Sequence, residues 1–124
     1  MVTGKQSFEQ ALMMLNYTDS TGRINGQKNK AIYARALSLL NQICCDLYYV
    51  EGGRGWQPLA SMDDAVPLSD RAAADVLPYG LAMLIAQSES DMDNQTLYSA
   101  LFNQKRLSLT SSRKRVDTLP RPVF

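Results

Sequence analysis

The chain contains no histidine. The commonest general base near neutral pH is therefore missing, and a Ser-His-Asp triad cannot be built. Cysteine is almost as scarce. Cys44 and Cys45 are the two present, and without histidine they cannot supply a zinc site of the usual kinds. They are adjacent in a predicted helix, where neighbours point about 100° apart, the wrong geometry for an ordinary disulfide. They read as small core or near-core residues of a reducing compartment. No apolar run approaches the ~20 residues of a membrane span. Met1-Val2-Thr3-Gly4-Lys5-Gln6 has no apolar stretch of the kind a secretory signal needs. No serine sits in a Gly-x-Ser-x-Gly elbow. Gly52-Gly53-Arg54-Gly55 lacks the Lys-Ser/Thr of a P-loop and follows a helix, so it reads as a helix stop. Asp63-Asp64 with Asp70, and Asp91 with Asp93, do not resemble a Ca²⁺ loop and read as helix caps. The expectation is a protein without catalytic residues, cofactor or metal.

What remains is ordinary in amount and uneven in arrangement. At 124 residues, 45% hydrophobic and 20% charged, the chain fits one small globular domain whose modest core could gain from oligomerisation. Net charge is +1, but residues 1–102 hold seven Lys/Arg against eleven Asp/Glu, a net of −4. Residues 103–124 hold six against Asp117 alone, a net of +5. This division suggests an interaction tail rather than catalysis.

Periodicity predicts helices throughout, with no strand pattern and no internal repeat. Ser7 and Gln10 fit a capping box opening a first helix, whose stripe is Phe8, Ala11, Leu12 and Leu15. Turn formers from Asn16 to Gly26 end it. A second helix, roughly Gln27 to Val50, carries an apolar face wide enough for a central helix contacted from two sides. Residues 51–68 form a long structured connection holding Trp56. Tyr48, Tyr49 and Trp56 are either an aromatic binding patch or a seal where this loop crosses the bundle end. Ser69 or Asp70 caps a third helix reaching about Gln87. Asp91 or Asp93 caps a fourth, with Leu97, Tyr98, Leu101 and Phe102 inward, running to about Lys105–Leu109. The fold class is all-α: a bundle of about four helices over residues 1–109, with an extended basic arm over 110–124.

Two features stand apart. Pro78 and Gly80 interrupt the third helix, a pair that predicts a kink and a backbone closely approached by something else. The basic segment alternates charge with apolar residues, which suits docking on an acidic protein surface, against the alternatives of DNA contact and a plain solvated tail. Its candidate partner-binding residues are Lys105, Arg106, Arg113, Lys114, Arg115, Leu119, Arg121 and Phe124.

The order of elements carries a resemblance. Leu39-Leu40-Asn41-Gln42-Ile43, Val66-Pro67-Leu68-Ser69-Asp70, Leu77-Pro78-Tyr79-Gly80-Leu81-Ala82 and Tyr98-Ser99-Ala100-Leu101-Phe102-Asn103-Gln104 together resemble the head–tail connector (adaptor) proteins of tailed bacteriophages over roughly residues 7–108. The resemblance implies a structural virion subunit at the head–tail junction, made in the host bacterial cytoplasm. It would form a homo-oligomeric ring under the portal protein and meet a tail or stopper protein below. DNA would pass through the channel without sequence-specific binding, and no membrane is involved. The alternative is a small DNA-binding regulator using the basic tail.

Overall fold

The structure, a computed structural model, describes residues 2–15 and 30–117; for residues 30, 31 and 111–117 it describes the backbone alone. It is an all-α bundle. Helix α1 spans Gly4–Met14, α2 Lys30–Ala34, α3 Ala36–Val50, α4 Leu77–Ser88 and α5 Met92–Asp117, with a π-helical segment at Ala72–Val76 leading into α4. Among the described residues there is no strand beyond an isolated bridge between Thr3 and Ala65, and no helix long and apolar enough to cross a membrane.

Helix α1 starts earlier than its sequence suggests. Thr3 is the N-cap, and Thr3 with Gln6 forms the reciprocal capping box expected at Ser7 and Gln10. The reason is tertiary. The loop between α3 and the π segment lies against the chain's start, and its carbonyls at Asp64 and Met62 accept from the Gly4 and Lys5 amides. Those amides are among the unpaired donors that every helix start presents. The expected stripe of Phe8, Ala11, Leu12 and Leu15 is buried. Ser7 is buried too, and its hydroxyl has no hydrogen-bond partner. Ser7→Ala is therefore expected to raise stability by about 1 kcal/mol, since it removes an unpaired buried hydroxyl. Chemical denaturation measures this, and an unchanged or lower midpoint would refute it.

The expected second helix divides at Arg35, whose backbone leaves the helical region (φ −104°, ψ 1°). Its guanidinium donates to Ser88 and Glu89 at the end of α4. The proposed start at Gln27 lies outside the described residues. Nor is this helix the centre of the bundle. That place belongs to α4, which packs on α1, α3 and α5 and is buried at Leu77, Pro78, Gly80, Leu81, Ala82, Ile85 and Ala86. Gly80 and its alanines let neighbours close in from several sides, whereas α3 turns Gln42 and Tyr49 to solvent.

The Pro78 misfit is absorbed one turn upstream. The Leu77 amide donates to the Ala72 carbonyl, five residues back, in the π segment. Pro78 then falls in the first turn of α4, where a missing amide proton costs little. Ser69 caps this run, accepting from the Ala72 amide at 3.1 Å. Gly80 is the close approach that the sequence predicts. A Cβ there would lie 2.8 Å from Ile43 Cγ2 and 2.8 Å from Phe102 Cε1, so α3, α4 and α5 converge on one missing side chain.

Asp91 caps α5, accepting from the Asn94 amide at 3.3 Å and the Asn94 side chain at 2.7 Å. The helix runs on through Asp117, past the Lys105–Leu109 end expected for it and into the segment expected to be extended. No glycine or proline interrupts it before Pro120. Basic residues 113–115 also complement the negative end of a helix dipole. Leu97 is 50% exposed, contrary to its expected inward position. The buried face of α5 is Tyr98, Phe102 and Leu109, and at 100° per residue Leu97 falls well off its centre.

Burial also sets the response to alkali. Cys44, fully enclosed, has its thiol pushed up to about 12 from 9.0, by burial first and by Cys45 second. Burial likewise raises Tyr33, helped by Glu9, and Tyr98, helped by Tyr79. Each group holds its proton more tightly folded than unfolded. Stability is thus full below about pH 9 and falls as pH climbs toward about 12. Melting temperatures across this range are expected to drop steadily, and less steeply in Cys44→Ala.

Candidate partner-binding surfaces

Of the basic residues nominated from sequence, the structure describes the side chains of Lys105 and Arg106. Arg106 lies a turn beyond Phe102 and faces α3, where its Nε and Nη2 donate to the two oxygens of Asp46 at 2.7 and 2.9 Å. Lys105 donates to Asp75 Oδ1 at 2.8 Å and stands 4.6 Å from the centre of the Tyr79 ring. These bonds hold both cations above their ordinary pKa values. The hydrogen bond is the largest cause in each case, with burial pulling the other way. Arg71, beside them, donates to the Ser108 hydroxyl. Lys105 and Arg106 therefore brace α5 against α3 and the π segment.

Helical phase explains this inward turn. Tyr98, Phe102, Lys105 and Leu109 follow one another at i, i+4, i+7 and i+11 on one face of α5. Tyr98 anchors the near end, its hydroxyl donating to the Met14 carbonyl at 2.8 Å. Arg113, Lys114 and Arg115 lie in the last turns of α5, where the backbone alone is described. Leu119, Arg121 and Phe124 lie outside the described residues. By charge, residues 105–124 form one basic arm. Within it, Lys105 and Arg106 are engaged in ion pairs with the bundle.

Exposed apolar side chains offer other surfaces. Leu107 is 61% exposed, on the side of α5 away from the core, and Met13 and Met92 are also exposed. Leu107 could have been found from sequence, because it lies half a turn from the Tyr98–Phe102–Leu109 face. A shallow groove of about 360 Å³ between α3 and α4 is lined by Leu39, Gln42, Leu84, Gln87 and Ser88.

A third surface lies where α3 ends. Gly52, in the left-handed region at φ 89°, closes the helix. The Gly53 amide donates to Tyr48 and the Gly52 amide to Tyr49, the paired bonds of a glycine-terminated helix. The Tyr48 ring lies over Gly53, where a Cβ would come within 2.5 Å of it. Trp56 stacks at a tilt on Tyr48, ring centres 5.5 Å apart, and Tyr49 meets Tyr48 edge-on at 5.6 Å. The loop beyond is pinned by Asn41, which exchanges two hydrogen bonds with the backbone of Leu59 at 2.7 and 3.1 Å. The rings seal the bundle end, and they also leave Tyr49 51% exposed.

Among the described residues no group of three or more His, Cys, Asp or Glu is placed to hold a metal ion. No family model, curated protein or solved structure matches the chain.

Proposed function

We propose that this protein is a structural subunit of a tailed-phage or prophage virion, a head–tail connector that forms a ring beneath the portal. One observation carries the reading. The two segments most like that family, Leu77-Pro78-Tyr79-Gly80-Leu81-Ala82 and Phe102-Asn103, meet in the fold, with Phe102 against the open side of Gly80. A likeness spread over distant parts of a sequence thus corresponds to one packing device, which supports its being more than coincidence of composition.

Charge and shape fit the same role. A net-negative body suits a lumen through which DNA must slide, since strong phosphate contacts would retard it. Copies in a ring pack one face against a different face of the neighbour, and the exposed Leu97, Leu107 and Met13 are available for such contacts. Because Asp75 and Asp46 hold Lys105 and Arg106, the proposal assigns portal contact to Arg113, Lys114 and Arg115.

A chain ended after Thr110 tests this, because it keeps Arg106 and Leu109, which bind α5 to the body. Its melting is expected to stay cooperative while binding to portal rings is lost, as measured by co-sedimentation. Normal portal binding by the shortened chain would remove the arm's role. Salt-dependent duplex binding that disappears with the same residues would favour the DNA-binding regulator instead.

A further inference from the structure

The aromatic cluster at the end of α3 has the features of a recognition surface. Its rings are held by contacts on several sides. Tyr48 is clamped over Gly53, its hydroxyl donates to the Arg54 carbonyl at 2.7 Å, and the Trp56 amide donates to the Tyr49 hydroxyl at 3.4 Å. Trp56 is half-buried against the core, Tyr48 is half-buried, and Tyr49 faces water. Clustered aromatic rings at a surface are what polyproline II segments dock on, because such segments are already extended and lose little entropy on binding.

This chain carries one segment of that chemistry, Leu119-Pro120-Arg121-Pro122-Val123. At three residues per turn, a polyproline II strand would place Leu119 with Pro122 on one edge and Pro120 with Val123 on the next. Arg121 would occupy the third edge, so two apolar edges are free to meet the rings.

Position brings the two together. Helices α3 and α5 run in the same direction along their contact. Ile43 and Phe102 flank Gly80, and three and four residues later Asp46 pairs with Arg106. In that register α5 passes the last turn of α3 near Thr110, and residues 111–117 carry it about 10 Å further. Helix α5 therefore ends at Asp117 on the side of the molecule that bears Tyr48, Tyr49 and Trp56, two residues before Leu119. In a cyclic ring every copy points the same way, so a segment and a patch at one end lie at the same height on neighbouring copies. Two closely spaced prolines also stiffen the segment against folding back on its own helix.

We infer that Tyr48, Tyr49 and Trp56 form the docking site for residues 119–123 of a second copy of this chain. The choice of a second copy rests on the ring reading. Trp56 is the only tryptophan, so its emission reports on the patch directly. In the full chain, Pro120→Ala with Pro122→Ala is expected to weaken self-association at least tenfold in sedimentation. It should also shift Trp56 emission to longer wavelength at concentrations where the parent chain assembles. Tyr49→Ser, at an exposed position, is expected to do the same to association with the melting temperature kept. A synthetic peptide of residues 118–124 should compete for assembly and change Trp56 emission saturably. Unchanged association and emission in the proline variant would overturn the inference. So would a difference in emission that persists undiminished on dilution, because the segment would then lie on its own chain. A full chain that stays monomeric at every concentration, yet answers the peptide saturably, would support the patch and count against the ring.

Discussion

Gly80→Val is expected to lower unfolding free energy by about 3 kcal/mol or more, and Gly80→Ala by about 1–2 kcal/mol. Intrinsic helix propensity predicts the opposite sign for alanine, a gain of about 1 kcal/mol over glycine inside a helix. Space decides which effect wins. A Cβ at Gly80 lies 2.8 Å from a methyl of Ile43 and 2.8 Å from the Phe102 ring edge. Both belong to buried side chains of the packed core, on helices that would have to move apart. Phe102→Ala alone is expected to cost about 3–5 kcal/mol as a core truncation. In its background Gly80→Ala should cost at least 0.5 kcal/mol less, a coupling about that expected of residues in contact. Denaturant unfolding of the four proteins measures the cycle, and a stabilising Gly80→Ala in the parent chain would refute the close packing.

Asn41→Ala is expected to cost about 2–3 kcal/mol, because it strips partners from both the amide and the carbonyl of Leu59. The effect should be local as well as global. Asn41 sits in mid-α3, and its two bonds fix the loop at Leu59, beside turn contacts through Asp64 at Ala60 and Ser61 and ahead of the bonds from the start of α1 to Met62 and Asp64. Hydrogen exchange in residues 57–62 is expected to quicken more than in α4. An Asn41→Ala melt within about 0.5 kcal/mol of the parent would show that water replaces the lost bonds at little cost.

The sequence made some of this legible at single residues. Ser69 and Asp91 are caps, Gly52 ends a helix, and Phe8, Ala11, Leu12 and Leu15 form a buried stripe, as local patterning predicts. These features depend on backbone chemistry within one turn or on period alone. The start of α1 was not legible in the same way. Thr3/Gln6 and Ser7/Gln10 both satisfy the capping pattern, and the loop carbonyls of Asp64 and Met62 select the first. The candidate site was less legible still. Lys105 and Arg106 look like the opening of a basic arm when read with Arg113–Arg115, because composition does not say which cations meet a carboxylate brought from 30 or 60 residues away.

The sequence by itself determined an all-α domain, divided in charge between body and C-terminal segment, with a proline and a glycine in its third helical run that had to be accommodated. Only the tertiary structure decided how. The π segment takes up Pro78, Ile43 and Phe102 fill the space Gly80 leaves, and α4 becomes the centre of the bundle. The reason is physical. Capping, helix breaking and periodicity act over three or four residues and are written in order along the chain. Close approach and ion pairing depend on which distant residues the packed core brings together.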